Sequence, residues 1–333
     1  MQTLRKPINC STWQDAMKNS ITDPGELFDL LQLDTAHLPK AYEASKTFKL
    51  RVPRGFVNKM QKGNWDDPLL IQILPVEKEL QVTPHFHKDP LQEVYFNPIP
   101  GLLHKYHGRV LLTVVGACGV NCRYCFRRHF PYEVNPVSKK TREQIVDYLK
   151  KDTSIQEVIY SGGDPLVADD DYLKELTQTL FSLPHLKRLR IHTRMPIVLP
   201  ERINEAFIKW FADSKRQNIL VLHCNHPNEL DSTIEVNMKR LKEAGVAVLN
   251  QSVLLRGVND DVDTQVALSE ALFAHHIMPY YLHLLDQVEG AAHFDLPLEK
   301  INAIYQGMQE RLPGFLVPKL AQEVPGAKHK VLV

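Results

Sequence analysis

From residue 109 onward the chain alternates between two hydrophobic rhythms. Short β-branched and aliphatic runs, RVLLTVV (109–115), EVIYS (157–161), LRIHT (189–193), ILVLH (219–223), AVLNQSV (247–253) and PYYLHL (279–284), read as strands. Between them lie stretches of helical period such as DYLKELTQTLFSL (171–183) and EVNMKRLKEAG (235–245). This alternation predicts six consecutive βα units around a parallel sheet. Six units are fewer than the roughly eight that close a barrel, so an open, partial barrel is expected. The polar motifs fall just after the strands, and in α/β sheets the carboxyl ends of the strands form the ligand face.

The first hundred residues follow no repeat. DPGELFDLLQL (23–33) and RVPRGFVNKMQK (51–62) look helical, and the Pro-rich HKDPLQEVYFNPIPGLLHKY (87–106) reads as a connecting loop. The chain therefore divides into a mainly helical N-terminal extension over 1–100, a partial barrel over 101–312, and a C-terminal segment over 313–333 that closes the site.

Composition narrows the class. Forty Lys and Arg against thirty-nine Asp and Glu leave a net charge of +1, so no global field favours a polyanion such as nucleic acid. No segment reaches the ~18 uninterrupted apolar residues of a membrane span, and a cytoplasmic location is expected. Three of the five cysteines fall in CGVNCRYCFRRHF (118–130), too close for an ordinary disulfide framework, whereas Cys10 and Cys224 stand apart as structural residues.

Cys118, Cys122 and Cys125 can wrap one soft metal centre. A structural zinc would need a distant fourth ligand, for which His129 or Cys224 is available, and zinc sites usually bring a second paired ligand motif. The alternative is a [4Fe–4S] cluster held by three cysteines, its fourth iron open to a ligand. His192, His223 and His226 read as rim histidines rather than a second centre, and the basic and aromatic residues of RYCFRRHF do not make a nucleic-acid surface on so neutral a chain.

CxxxCxxC after the first strand of a partial barrel resembles the radical S-adenosylmethionine enzymes, and SGGDPL (161–166) is similar to their glycine-rich segment. The resemblance implies a [4Fe–4S] cluster on the three cysteines and S-adenosylmethionine as its ligand. Ser161, Gly162, Gly163 and Asp164 would then approach the methionyl group, with Thr193, Arg194 and Asn225 near the ribose and carboxylate.

Further blocks, CRYCFRRHF, NHPNEL, NQSVLLRGVND, YYLHLLDQVEGAAHF, IPGLLHKYHGRVLL and LVPKLAQEV, resemble the lysine 2,3-aminomutase branch in the same order. Within it, ITDPGELFDLLQL and RYCFRRHFPY are most like the members that act in β-lysylation of bacterial translation elongation factor P. The resemblance implies conversion of L-lysine to (R)-β-lysine with pyridoxal 5′-phosphate, a functional link to the factor and its lysyl-transferring enzyme, an external electron donor, and room for a homo-oligomer.

Residue by residue, the resemblance places Arg127 on the substrate carboxylate, and Lys105 and Arg109 on the pyridoxal phosphate group. It puts Gln251 near the same cofactor, and Asp286 with Glu323 on the substrate ε-ammonium. The Schiff-base lysine falls on Lys330, with Lys328 as competitor because the glycine run preceding it in the family is broken in VPGAKHKVLV. Other readings are a radical aminomutase for a different amino acid such as glutamate, which the two carboxylates oppose, and a non-catalytic zinc-stabilised module that binds RNA or a translation factor.

Overall fold

A computed structural model describes residues 12–212 and 216–333. Cys10 lies outside the described residues.

The N-terminal extension is helical, in short pieces: α1 (Trp13–Lys18), α2 (Pro24–Leu31), α3 (Leu38–Thr47), α4 (Arg54–Val57) and α5 (Pro68–Ile71). Asp23 caps α2, its carboxylate accepting the Glu26 N–H at 3.0 Å, and Pro24 occupies the first turn, where a missing N–H costs nothing. The run 51–62 forms only the single turn α4, not the longer helix its composition suggested. Pro53 fixes its start, Gly55 weakens its middle, and the chain leaves it through tight turns such as Lys59 N–H to Phe56 O at 3.2 Å.

The rest of the chain builds one sheet. In order come β1 (Leu102–Tyr106), β2 (Arg109–Val115), α6 (Lys139–Lys151), β3 (Glu157–Gly162), α7 (Asp170–Leu180), β4 (Arg188–Thr193), α8 (Met195–Val198) and α9 (Glu205–Phe211). They are followed by β5 (Gln217–Leu222), α10 (Ser232–Glu243), β6 (Ala247–Val253), α11 (Val262–Ala274), β7 (Met278–His283), α12 (Leu298–Arg311), β8 (Lys319–Gln322) and β9 (Val331–Leu332). The strands lie side by side in chain order, β2 to β8 parallel, with β1 and β9 antiparallel at the two edges. The expected open α/β architecture is present.

Two strands differ from the expectation. The end of the Pro-rich passage is a strand, not a loop: Gly108, at φ +75°, turns the chain so that β1 pairs back onto β2, Leu102 opposite Leu112. In the C-terminal segment KLAQ (319–322) forms β8, parallel to β7, so that segment is hydrogen-bonded into the sheet.

Strand periodicity sorts the side chains. On β4, Leu189 and Ile191 pack into the main core with α7 residues Leu173 and Leu176, while Arg188, Arg190 and His192 face a central cavity. On β6, Val248 lies in the core while Leu249, Gln251 and Val253 face the same cavity. Leu27, Phe28 and Leu31 of α2 belong to that core too, so the extension and the sheet share one apolar interior. Among the described residues no helix is long and apolar enough to cross a membrane.

Candidate active site

The loop after β2 carries three free thiols, Cys118, Cys122 and Cys125, each facing a cavity of about 620 Å³. The loop is tied to the N-terminal extension through backbone bonds, Asn121 N–H to Arg51 O at 3.0 Å and Arg123 N–H to Gln72 O at 2.9 Å. Side chains reinforce it: Arg123 forks onto Glu79 at 2.8 and 2.5 Å, and Arg128 reaches the same carboxylate at 2.7 Å. The Glu79 and Arg123 side chains are fully buried, so a charge left alone here would be expensive.

Among the described residues no three His, Cys, Asp or Glu side chains are already drawn around one point. The donor set nevertheless fits a cluster of soft metal ions. Burial pushes the Cys118 thiol well up, aided by the charges of Cys125 and Asp164, and burial with Cys122 pushes Cys125 up to about 11. Thiolates crowded in this way are stabilised by a bound cation.

β3 ends in Ser161, Gly162 and Gly163, which line the cavity with Asp164. Gly162 sits at φ +122°, and a Cβ added there would lie 2.5 Å from the Val115 carbonyl oxygen. At Gly163 it would lie 2.3 Å from the Ala117 oxygen. The glycines let this turn press against the root of the cysteine loop. Gly162→Ala is expected to cost about 1–3 kcal/mol through the left-handed backbone and the collision, read by denaturant unfolding of the unloaded protein.

Asp164 fastens strand ends. Its carboxylate accepts from Thr193 Oγ1 at 2.6 Å and from the N–H groups of Arg194 at 2.7 Å, Leu166 at 3.0 Å and Met195 at 3.1 Å. Arg194 is similarly engaged: Nη1 meets Cys122 Sγ at 2.8 Å and Tyr124 Oη at 2.6 Å, while Nη2 meets Gln72 at 2.7 Å and Glu229 at 2.9 Å. Thr193 and Arg194 line the cavity, whereas Asn225 lies behind it. The Asn225 amide nitrogen donates to Tyr124 at 2.7 Å and Gln72 at 3.0 Å, and its oxygen accepts the Val253 N–H at 2.9 Å. His223 meets Tyr124 Oη at 2.8 Å, and His226 caps the turn after β5, so both are partnered rim residues.

The remaining expected residues line the same cavity. Arg127 forks onto Glu93, Nε and Nη2 each at 2.8 Å from a carboxylate oxygen, and Nη1 donates to Ser161 Oγ at 3.0 Å. Lys330 Nζ donates to Glu323 at 2.6 Å, Tyr106 Oη donates to it at 2.7 Å, and Lys105 stands 3.7 Å away. Lys328 is exposed and lies off the cavity lining. Arg109 stacks on the Tyr106 ring, and Gln251 Nε2 approaches His192 Nδ1 at 3.5 Å.

The two acidic residues differ in charge state. Burial pushes Asp286 up to about 7, the Glu323 carboxylate adding to it. Burial works against the Glu323 charge as well, but Lys330 and Tyr106 outweigh it and bring that carboxyl down to about 2. Glu323 is therefore ionised throughout the useful range, and Asp286 gains or loses its proton near neutrality.

Glu93, Glu79, Gln72, Tyr124, Glu229 and Tyr106 lie outside the residues to which the sequence points. Glu79, Gln72 and Glu93 come from the aperiodic first hundred residues, where a lone polar side chain carries no pattern. A cue was available: CRYCFRR places three arginines beside a buried loop, and buried arginines need acidic partners.

With this geometry the comparisons with known proteins agree. Residues 112–264, from β2 through the start of α11, match the Radical SAM superfamily. Over 98% of its length the chain is 49% identical to L-lysine 2,3-aminomutase of Escherichia coli, covering 96% of that protein. The corresponding Haemophilus influenzae protein is 46% identical over 96% of this chain and 95% of its own length. The Clostridium subterminale L-lysine 2,3-aminomutase is 31% identical over 99% of this chain and 80% of its own length. The chain belongs to the L-lysine 2,3-aminomutase family of radical SAM isomerases.

Proposed function

We propose that this chain converts L-lysine to (R)-β-lysine and supplies the β-lysyl group for modification of elongation factor P. The observation that carries the reading is one cavity taking in the three cysteines, Arg127, Lys330 and the carboxylates of Asp286 and Glu323. It joins a metal-binding loop to a set of groups matched to both ends of a basic amino acid. The same cavity supports pyridoxal 5′-phosphate as a further cofactor, since it offers a lysine amine and two further basic side chains.

No side-chain base removes hydrogen from the unactivated β-carbon of lysine. When bound, the cluster with S-adenosylmethionine supplies a carbon radical able to do so, and pyridoxal phosphate supplies a carbonyl that holds the amino nitrogen. The chain's own residues hold and orient. Cys118, Cys122 and Cys125 would ligate three irons, and Ser161, Gly162 and Gly163 offer S-adenosylmethionine a surface the backbone can approach closely. Lys330 supplies the amine for the pyridoxal carbonyl, Lys105 and Arg109 supply cations for its phosphate, and Gln251 an amide beside it. Arg127 receives the substrate carboxylate, to which a planar fork is suited. Asp286 and Glu323 receive the ε-ammonium and repel an acidic side chain.

The link to elongation factor P rests on the likeness of RYCFRRHFPY and the N-terminal blocks to the members that serve it, and on relatives sharing nearly the full chain. It makes the product's consumer a lysyl-transferring enzyme in the bacterial cytoplasm. The test is a substrate panel on anaerobically reconstituted protein: L-lysine should be consumed and L-glutamate left untouched. Turnover of L-glutamate at a comparable rate would overturn the assignment.

A pH effect follows from Asp286. Below pH 7 its carboxyl gains a proton and loses the charge that attracts the ε-ammonium. Lysine affinity should therefore fall with acidification, by up to about ten-fold per pH unit below 7. Glu323, still ionised, sets a floor on that loss. The check is KM for lysine from pH 5.5 to 8 in wild type and Asp286→Asn, whose profile should lack the step.

A further inference from the structure

We propose that Glu93 is the positioning residue that sets the orientation of Arg127, leaving one terminal pair of guanidinium N–H groups for the amino-acid carboxylate, an inference that rests on the substrate reading above. A guanidinium has five N–H donors. Nε and one Nη2 hydrogen go to the two oxygens of Glu93, each at 2.8 Å, and one Nη1 hydrogen goes to Ser161 Oγ at 3.0 Å. What remains is one N–H on each terminal nitrogen, on a side chain that lines the cavity. Those two N–H groups, one on each terminal nitrogen, are left to donate to a carboxylate that enters the cavity.

The arrangement is fixed from several sides. Glu93 and Arg127 are 4% and 7% exposed, so neither is free to pair with water instead. The guanidinium carbon lies 4.9 Å from the centre of the Phe126 ring and 5.9 Å from that of Phe130, which restrict its plane. Glu93 is itself placed by Asp89, whose carboxylate accepts the Glu93 N–H at 3.1 Å and the Val94 N–H at 3.4 Å. In this way a carboxylate from the aperiodic N-terminal extension governs how the barrel reads the α-carboxylate.

The experiment compares lysine with cadaverine, the diamine left when lysine loses its carboxylate. Glu93→Gln keeps the shape and removes the charge. It should weaken lysine binding and raise its KM about 10-fold or more, the usual worth of a charge-assisted hydrogen bond. Inhibition by cadaverine should change less than about two-fold on the same scale, and the iron and sulfide content of the reconstituted protein should stay at the wild-type level. Glu93→Asp, which keeps the charge and shortens its reach to Arg127, should shift lysine in the same direction by less and serves if Glu93→Gln does not fold. Equal weakening of lysine and cadaverine, or loss of iron with either, would show that Glu93 only supports the loop and would overturn the inference. Unchanged lysine binding in both variants would overturn it as well. Failure of the substrate reading has a different signature: wild-type protein with a full cluster that neither binds nor converts lysine.

Discussion

Replacing any one of Cys118, Cys122 or Cys125 with alanine should remove the iron–sulfur cluster and reduce β-lysine formation to background. Among the described residues these three thiols are the cysteines that line the cavity, and two cannot hold a cluster that needs three anchored irons. Iron and sulfide analysis with anaerobic absorption checks the result, a broad band near ~400 nm being expected for the wild type and absent from the variants. Cys224→Ala is the informative contrast. That thiol is fully buried in the core and meets the His226 carbonyl at 3.5 Å, so its loss should cost about 1 kcal/mol and leave iron content intact. Full turnover in any of the first three variants, or a zinc-loaded wild type without the visible band, would contradict the assignment.

Lys330 carries the second prediction. Lys330→Ala should abolish both turnover and the borohydride-stable attachment of pyridoxal, while Lys328→Ala keeps them. The two lysines are two residues apart on a segment with no helical or strand period to separate them in the sequence. In the fold, the Lys330 side chain is mostly covered and bonds Glu323 at 2.6 Å, whereas Lys328 lies off the cavity lining. A peptide map with the pyridoxal label on Lys328 would reverse the register. The loss of Lys330 should also raise the acidic end's sensitivity to pH, because Glu323 would keep only Tyr106 and Lys105 against its repulsion with Asp286.

Much of this fold is legible from hydrophobic rhythm because parallel strands buried under helices concentrate β-branched and aliphatic residues. RVLLTVV, EVIYS and LRIHT all form strands near their expected limits. The strand missed at Leu102–Tyr106 is short and follows two prolines, and its existence depends on pairing across the turn at Gly108, a tertiary fact that composition does not carry. KLAQ is likewise a strand only because β7 offers it an edge.

The site divides along similar lines. Cys118, Cys122 and Cys125 announce themselves by spacing, and Lys330, Asp286 and Glu323 by position within resembling blocks. Asp164, Arg194 and Asn225 come from the same transfer, and in the fold most of their donors and acceptors are spent on neighbouring protein groups. Glu93 shows the limit: nothing in LQEVYF marks a carboxylate that reaches a guanidinium thirty-four residues away.

Turnover of lysine bears on all of these residues at once. Anaerobically reconstituted wild-type protein would be supplied with L-lysine, S-adenosylmethionine, pyridoxal phosphate and a strong reductant, and its products separated on a chiral column. The expected product is (R)-β-lysine, absent when S-adenosylmethionine is omitted. A protein with its full complement of iron and sulfide that leaves L-lysine unchanged would contradict the assignment of Arg127, Asp286 and Glu323 to the two ends of the substrate.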